Sequence, residues 1–166
     1  MATQMQSTGT NKALVRRLYD ELYGRKNPAV LDELLSPGYV HHFPDVLGKK
    51  MDFEDYKRRR LQLIRAFPDL TVAIDDQIAE GDRVSTRSTV RGTQTIDLPN
   101  IPASGRAVEV ASIVIHRVAG GKIVEGWEVY DSLGMMMQLD IVHMVTTLSK
   151  AEHERGRLPQ DYRWTE

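Results

Sequence analysis

The chain contains no cysteine, which removes disulfides, thiolate metal sites and cysteine nucleophiles at once. An excess of either charge is missing too: 22 Lys and Arg stand against 23 Asp and Glu, a formal net charge of -1. Nucleic-acid binders usually carry a basic excess or stripe, so the balance argues against that class. No apolar run approaches the length that spans a bilayer. Residues 1–10 are polar and lack the apolar core of a secretory signal. No glycine-rich phosphate loop is present, and the five histidines offer neither HxH nor HxxxH spacing, so no cofactor and no metal is expected. Internal repeats and low-complexity stretches are also lacking. These absences leave a cytoplasmic protein with no membrane or nucleic-acid partner.

What is present is ordinary for a globular chain: 166 residues, 41% apolar and 27% charged, enough for one domain with a proper core. Residues 1–9 read as a flexible tail, 10–148 as the domain and 149–166 as a charged C-terminal tail. Thr10 or Asn11 can cap a first helix with Leu14, Val15, Leu18, Tyr19, Leu22 and Tyr23 on one face. Asn27-Pro28 opens a short second helix, closed by Ser36-Pro37-Gly38. Residues 39–43 are extended. Asp52 starts a third helix that runs to about Ala66, and Pro68 ends it. Period-two alternation then takes over through Leu70, Val72 and Ile74, and Glu80-Gly81-Asp82 turns the chain back through 83–92. Two longer strands follow at roughly 106–118 and 122–131, around Gly120-Gly121. A last helix over about 132–148 carries Leu133, Met136, Met137, Ile141, Met144, Val145 and Leu148. Helices first and antiparallel hairpins afterwards imply an α+β fold: a cone-shaped, curved antiparallel sheet with the N-terminal helices over its concave face.

The stretch from Ser112 to Leu139 carries a family resemblance. GKIVEGW at 121–127, followed by Asp131, Gly134 and Gln138-Leu139, resembles the SnoaL-like polyketide cyclases, or ester cyclases, of the nuclear-transport-factor-2-like superfamily. Phe67-Pro68-Asp69-Leu70, Glu80-Gly81-Asp82, Gly92-Thr93 and Gly105-Arg106 extend the likeness from about Asn11 to Val142. The resemblance implies the same cystatin-like cone and a homodimer formed through the outward sheet face. It also implies acid/base chemistry next to a carbonyl of a small apolar, polyketide-like substrate, by cyclisation or isomerisation. A hydrolase of the limonene-epoxide type and a non-catalytic binding protein are the alternatives. One departure stands out: many SnoaL-like sequences place a histidine after the Gly-Thr pair, where this chain has Gln94, which cannot titrate.

The resemblance makes Asp131 the acid/base and His116 the residue that polarises the carbonyl or stabilises the enolate. Asp131 at a strand-to-helix junction also reads as a plain helix cap. A two-residue Gly120-Gly121 turn puts His116 opposite Glu125 and on the face of Trp127 and Asp131. A three-residue turn reverses this, and a bulge reverses it again. Trp127 and Val129 share the parity of Asp131 and are expected to line the cavity, with Glu128 and Tyr130 turned toward a subunit interface. Tyr19 and His41 complete the candidate binding set. His41 and His42 are adjacent in a strand and point opposite ways, so they cannot easily share a metal. Arg87 shares a strand face with Arg83 and Arg91 and is the candidate partner for an anionic or epoxide oxygen. The basic run from Lys57 to Arg60 is assigned to a helix surface.

Overall fold

A computed structural model describes residues 2–43, 50–99 and 101–142, with side chains from Ser7 onward. Helix α1 spans Ala2–Tyr19 and passes into a π-helical turn over Asp20–Gly24. The helix therefore starts at Ala2, not at Thr10 or Asn11; no proline interrupts residues 2–9. Its apolar stripe is the expected one, and Val15, Leu18, Tyr19, Leu22 and Tyr23 are all buried. Helix α2 is Val30–Leu34. Helix α3 is Phe53–Ala66, and the Asp52 side chain caps it by accepting from the Asp55 N–H at 2.9 Å.

Six strands follow one another in space as β2 (Lys50–Met51), β1 (Leu35–His42), β6 (Lys122–Tyr130), β5 (Ala107–Ala119), β4 (Arg83–Thr93) and β3 (Thr71–Glu80). Helix α4, Ser132–Gln138, follows β6 directly; Met144, Val145, Leu148 and the tail from 149 lie outside the described residues. All pairings are antiparallel except β1 with β6, which is parallel. An all-antiparallel sheet was expected because hairpins dictate that sense. The β1 and β6 strands are about eighty residues apart, so no hairpin constrains them.

The β5 strand shows the sheet's logic most plainly. Val108, Val110, Ser112, Val114, His116 and Val118 are buried, and the residues between them are exposed or half-buried. The buried side faces the helices, where Val15, Leu22, Val30, Leu31 and Ile123 are fully enclosed. Each such aliphatic side chain contributes roughly 1.5–3 kcal/mol over an exposed one.

The β5–β6 hairpin decides which residues share that inner face. Gly120 and Gly121 adopt φ of 57° and 74°, the left-handed pair a tight two-residue turn requires. Ala119 pairs with Lys122 and Val118 with Ile123, but Arg117 then pairs with Glu125. Val124 is thus an extra residue, a bulge that inverts the parity of everything beyond it. His116 consequently lies opposite Gly126, and Val114 opposite Glu128.

Candidate active site

Between α1, α3, α4 and the inner sheet face lies a cavity of about 200 Å³. Its walls are mostly aliphatic and aromatic, with Leu98, Pro99 and Ile101 of the β4–β5 connection and Met135 and Met136 of α4 contributing. Two guanidinium groups, one carboxylate and one imidazole interrupt this apolar lining on the sheet and α3 sides: Arg59, Arg60, Glu128 and His116.

The Arg60–Glu128 pair is the electrostatic centre. Arg60, on α3, contacts Glu128 Oε2, and both side chains are more than nine-tenths buried. His41 Nε2 reaches the same Oε2 at 3.1 Å, while its Nδ1 lies 2.9 Å from the Tyr39 hydroxyl. A carboxylate can only accept, so Nε2 carries the hydrogen and Nδ1 accepts from Tyr39. Burial pushes the Glu128 pKa up, but the Arg60 charge and the His41 bond outweigh it and leave it well below the usual carboxylate range. Burial lowers His41, against the pull of Glu128. The site thus holds a buried carboxylate that stays ionised, braced by one cation and one neutral imidazole.

His116 is different. It is 1% exposed, its ring lies edge-on to Tyr19 with centroids 6.0 Å apart, and its Nδ1 has no hydrogen-bond partner among the described residues. Burial drives its pKa down to about 3, so the ring is neutral at physiological pH.

Of the residues expected from sequence, His116 and Tyr19 line the cavity together. His41 stands behind Glu128, bonded to it, and is not part of the wall. Trp127 and Val129 face the other side of the sheet, because the Val124 bulge turns Glu128 and Tyr130 inward in their place. Trp127 there stacks on His42 at 5.1 Å and lies under Arg83. Arg87 is also outside: it is bound to Asp75 at 3.0 Å and Asp76 at 2.8 Å on the outer face. Asp131 is exposed, and its carboxylate accepts from the Gly134 N–H at 2.8 Å to cap α4. Its neighbours Tyr130 and Met135 line the cavity, but Asp131 does not. Gln94 is buried; its side-chain oxygen accepts from Ser104 and so ties down the β4–β5 connection.

Sequence reasoning missed Glu128, Arg60, Tyr23 and Tyr56. Arg60 had a signal: it falls four residues after Tyr56 and three before Leu63, which places it on the apolar stripe of α3. The adjacent basic residues concealed it.

The geometry defines a small-molecule pocket on a curved α+β sheet. The chain belongs to the SnoaL-like polyketide cyclase family, whose model matches residues 13–139. Among solved structures, it is similar to IdmH of Streptomyces antibioticus, named as a candidate polyketide cyclase. Identity there is 31%, coverage 78% of this chain and 98% of that one, and the TM-score 0.68. TsrD of Streptomyces laurentii shares 28% identity over 81% of this chain and 97% of its own, with a TM-score of 0.70. AclR of Streptomyces galilaeus, named as a candidate hydroxylase, matches at 24% identity over 89% and 94%, with a TM-score of 0.75, a likeness of fold. A comparison with curated proteins finds no match. No helix among the described residues is long and apolar enough to cross a membrane.

Proposed function

We propose that this protein is a cyclase or isomerase that moves a proton at a carbon next to a carbonyl of a small, largely apolar, polyketide-like substrate. Glu128 is the acid/base, and neutral His116 hydrogen-bonds the carbonyl oxygen as it gains charge. The observation that carries this reading is a carboxylate, Glu128, and an imidazole with an unpartnered nitrogen, His116, on one wall of one apolar cavity. Both hydrogen bonds described for Glu128 fall on Oε2, which leaves Oε1 free of them to take a proton. Glu128 is ionised and so able to accept a proton, but its low pKa makes it a weak base, and the transfer then depends on the His116 N–H hydrogen-bonding the enolate oxygen. The chemistry asks for no cofactor.

A second reading keeps the acid/base at Asp131, as the family resemblance implies. It is supported by the position of Asp131 between Tyr130 and Met135, which both line the cavity. In either reading two copies pair through the outer sheet face, where Val129 and Ile113 are 64% and 48% exposed and lie directly opposite each other across β5–β6. Contiguous exposed apolar surface of this kind favours association.

The test is deuterium uptake at the α-carbon, followed by NMR, across a panel of cyclic ketones and β-keto esters. Catalysed exchange supports the proposal. No exchange with any of them leaves a binding protein of the same fold.

A further inference from the structure

Valine fills the inner stripe of β5 except at His116, already placed in the site, and at Ser112. Directly opposite Ser112 across the β4–β5 ladder stands Ser88. Both serines line the cavity, and both are buried, Ser88 at 1% and Ser112 at 5% exposure. The next pair along the ladder in one direction is Val90 with Val110, and in the other Thr86 with Val114. Thr86 has a partner for its hydroxyl, which accepts from Gln77 Nε2 at 3.1 Å. The serines have none: no hydrogen bond reaches either hydroxyl among the described residues, and neither oxygen is sealed from the cavity. A buried hydroxyl without a partner costs stability, and an aliphatic residue would fill the same wall without that cost. Opposed residues on one face of an antiparallel pair hold their Cβ atoms about 4.5–5.5 Å apart, so the two hydroxyls can converge on one atom above them. A few placed polar groups in an apolar wall are what orients a bound small molecule.

We infer that Ser88 and Ser112 form a clip for a second, uncharged oxygen of the ligand, the carbonyl oxygen of a ketone remote from the reacting carbon. A hydroxyl turns freely and can donate, so two of them hold a carbonyl through its two lone pairs. The register sets the distance. Val114 pairs with Glu128, and Ser112 lies one pleat repeat away along β5, about 7 Å. The ligand therefore carries its second oxygen roughly 7 Å from the group that meets Glu128, a span that a fused two-ring skeleton covers. A ligand lacking that oxygen leaves two buried hydroxyls unpaired, and a site built to hydrogen-bond a group discriminates against analogues without it. The inference deepens the proposed function and rests on it only for which end of the ligand reacts. Holding the second oxygen requires no turnover.

That separation makes the test direct. The probes are trans-decalin-2,6-dione and trans-2-decalone, which share an outline and differ by one carbonyl oxygen. Their binding to the full chain is measured by calorimetry. An added carbonyl ordinarily weakens entry into an apolar cavity, because it must first shed water. Here the dione binds about tenfold more tightly than the decalone, as hydrogen bonds from two buried hydroxyls supply. Replacing both serines, Ser88→Ala with Ser112→Ala, removes that preference, and either substitution alone removes part of it. Because the hydroxyls bond nothing in the protein, melting of the unliganded double variant stays at the wild-type value or rises. A lowered melting transition in the double variant and in both single variants shows that the hydroxyls serve the fold, and overturns the inference. A preference for the dione of about twofold or less, which its two equivalent ends give by statistics alone, also overturns it. So does a preference that survives the double substitution, or no binding of either probe. If α-carbon exchange is found while the dione is not preferred, this inference alone fails. If the dione is held through the serines while no ketone exchanges, the proposed proton transfer alone fails.

Discussion

Gly126 lies so close to the Tyr39 hydroxyl that a Cβ placed on it would stand 2.5 Å from Oη and 3.0 Å from His41 Nδ1. Tyr39 and His41 belong to β1, which runs parallel to β6, and His41 pairs with Gly126 in the register. The missing side chain is the space in which Tyr39 hydrogen-bonds His41, which in turn bonds Glu128.

Gly126→Ala should therefore act as an overpacking mutation, costing about 1–3 kcal/mol. The backbone there needs no left-handed conformation, so the penalty is steric. Removing the hydroxyl with Tyr39→Phe in the same chain should recover part of the loss. Thermal melting of the two single variants and the double variant checks this. Additive losses would separate Gly126 from Tyr39.

The outer face makes a second prediction. Val129→Lys or Ile113→Lys puts a charge into the exposed apolar patch without touching the cavity. If two copies pair there, sedimentation should show the wild type near twice 18.8 kDa and the variants near the monomer mass, with melting changed by no more than surface substitutions usually cause. A wild type that sediments as a monomer at micromolar concentration removes the pairing.

Much of this fold is legible in sequence because it rests on local rules. The alternation of β5, the Asp52 and Asp131 caps and the Gly120-Gly121 turn each depend on a few neighbouring residues. The site is less legible because its parity turns on one residue. The Val124 bulge is a property of the β5–β6 ladder, and no local pattern around Val124 announces it. That single insertion exchanges Trp127 and Val129 for Glu128 and Tyr130 in the cavity wall. The β1–β6 pairing, which brings His41 to Glu128, is likewise set by packing between residues far apart in the chain.

Acidification should weaken the fold in a defined window. His116 is neutral when folded, with a pKa of about 3, and about 6.5 when unfolded. Between those values only the unfolded chain takes up the proton, so stability is full above about 6.5 and falls as the pH drops toward 3. The slope is about 1.4 kcal/mol per pH unit for one such group. His41, also lowered by burial, adds to it in the same direction. Glu128, held below its unfolded value, adds a further loss below about pH 4.3. His116→Phe should flatten the curve between pH 6.5 and 4.3 while keeping the part due to His41. A variant with the wild-type slope would mean that His116 is not buried as a neutral ring.

The last prediction separates the two carboxylates. Glu128→Gln keeps size and one acceptor but removes the charge that faces Arg60, and stranding a buried guanidinium costs about 3–5 kcal/mol. Glu128→Asp, which keeps the charge and shortens the reach, guards against reading that loss as catalysis. If Glu128 moves the proton, both variants lower α-carbon exchange on the order of 10²-fold, as loss or displacement of a general base does. The Asp variant does so while the protein remains folded. Asp131→Asn retains the cap, because Asn serves at that position almost as well as Asp, and should change stability little. Asp131→Ala should cost about 1 kcal/mol. Gly134→Ala is the harsher test of the same cap, since a Cβ there would lie 2.1 Å from Asp131 Oδ2. With the acid/base at Glu128, exchange in Asp131→Asn stays within about twofold of wild type, a change too small for loss of a catalytic proton carrier. The opposite pattern, Asp131→Asn silent and Glu128→Asp active, moves the acid/base to Asp131 and leaves Glu128 as the counter-ion that keeps Arg60 in place.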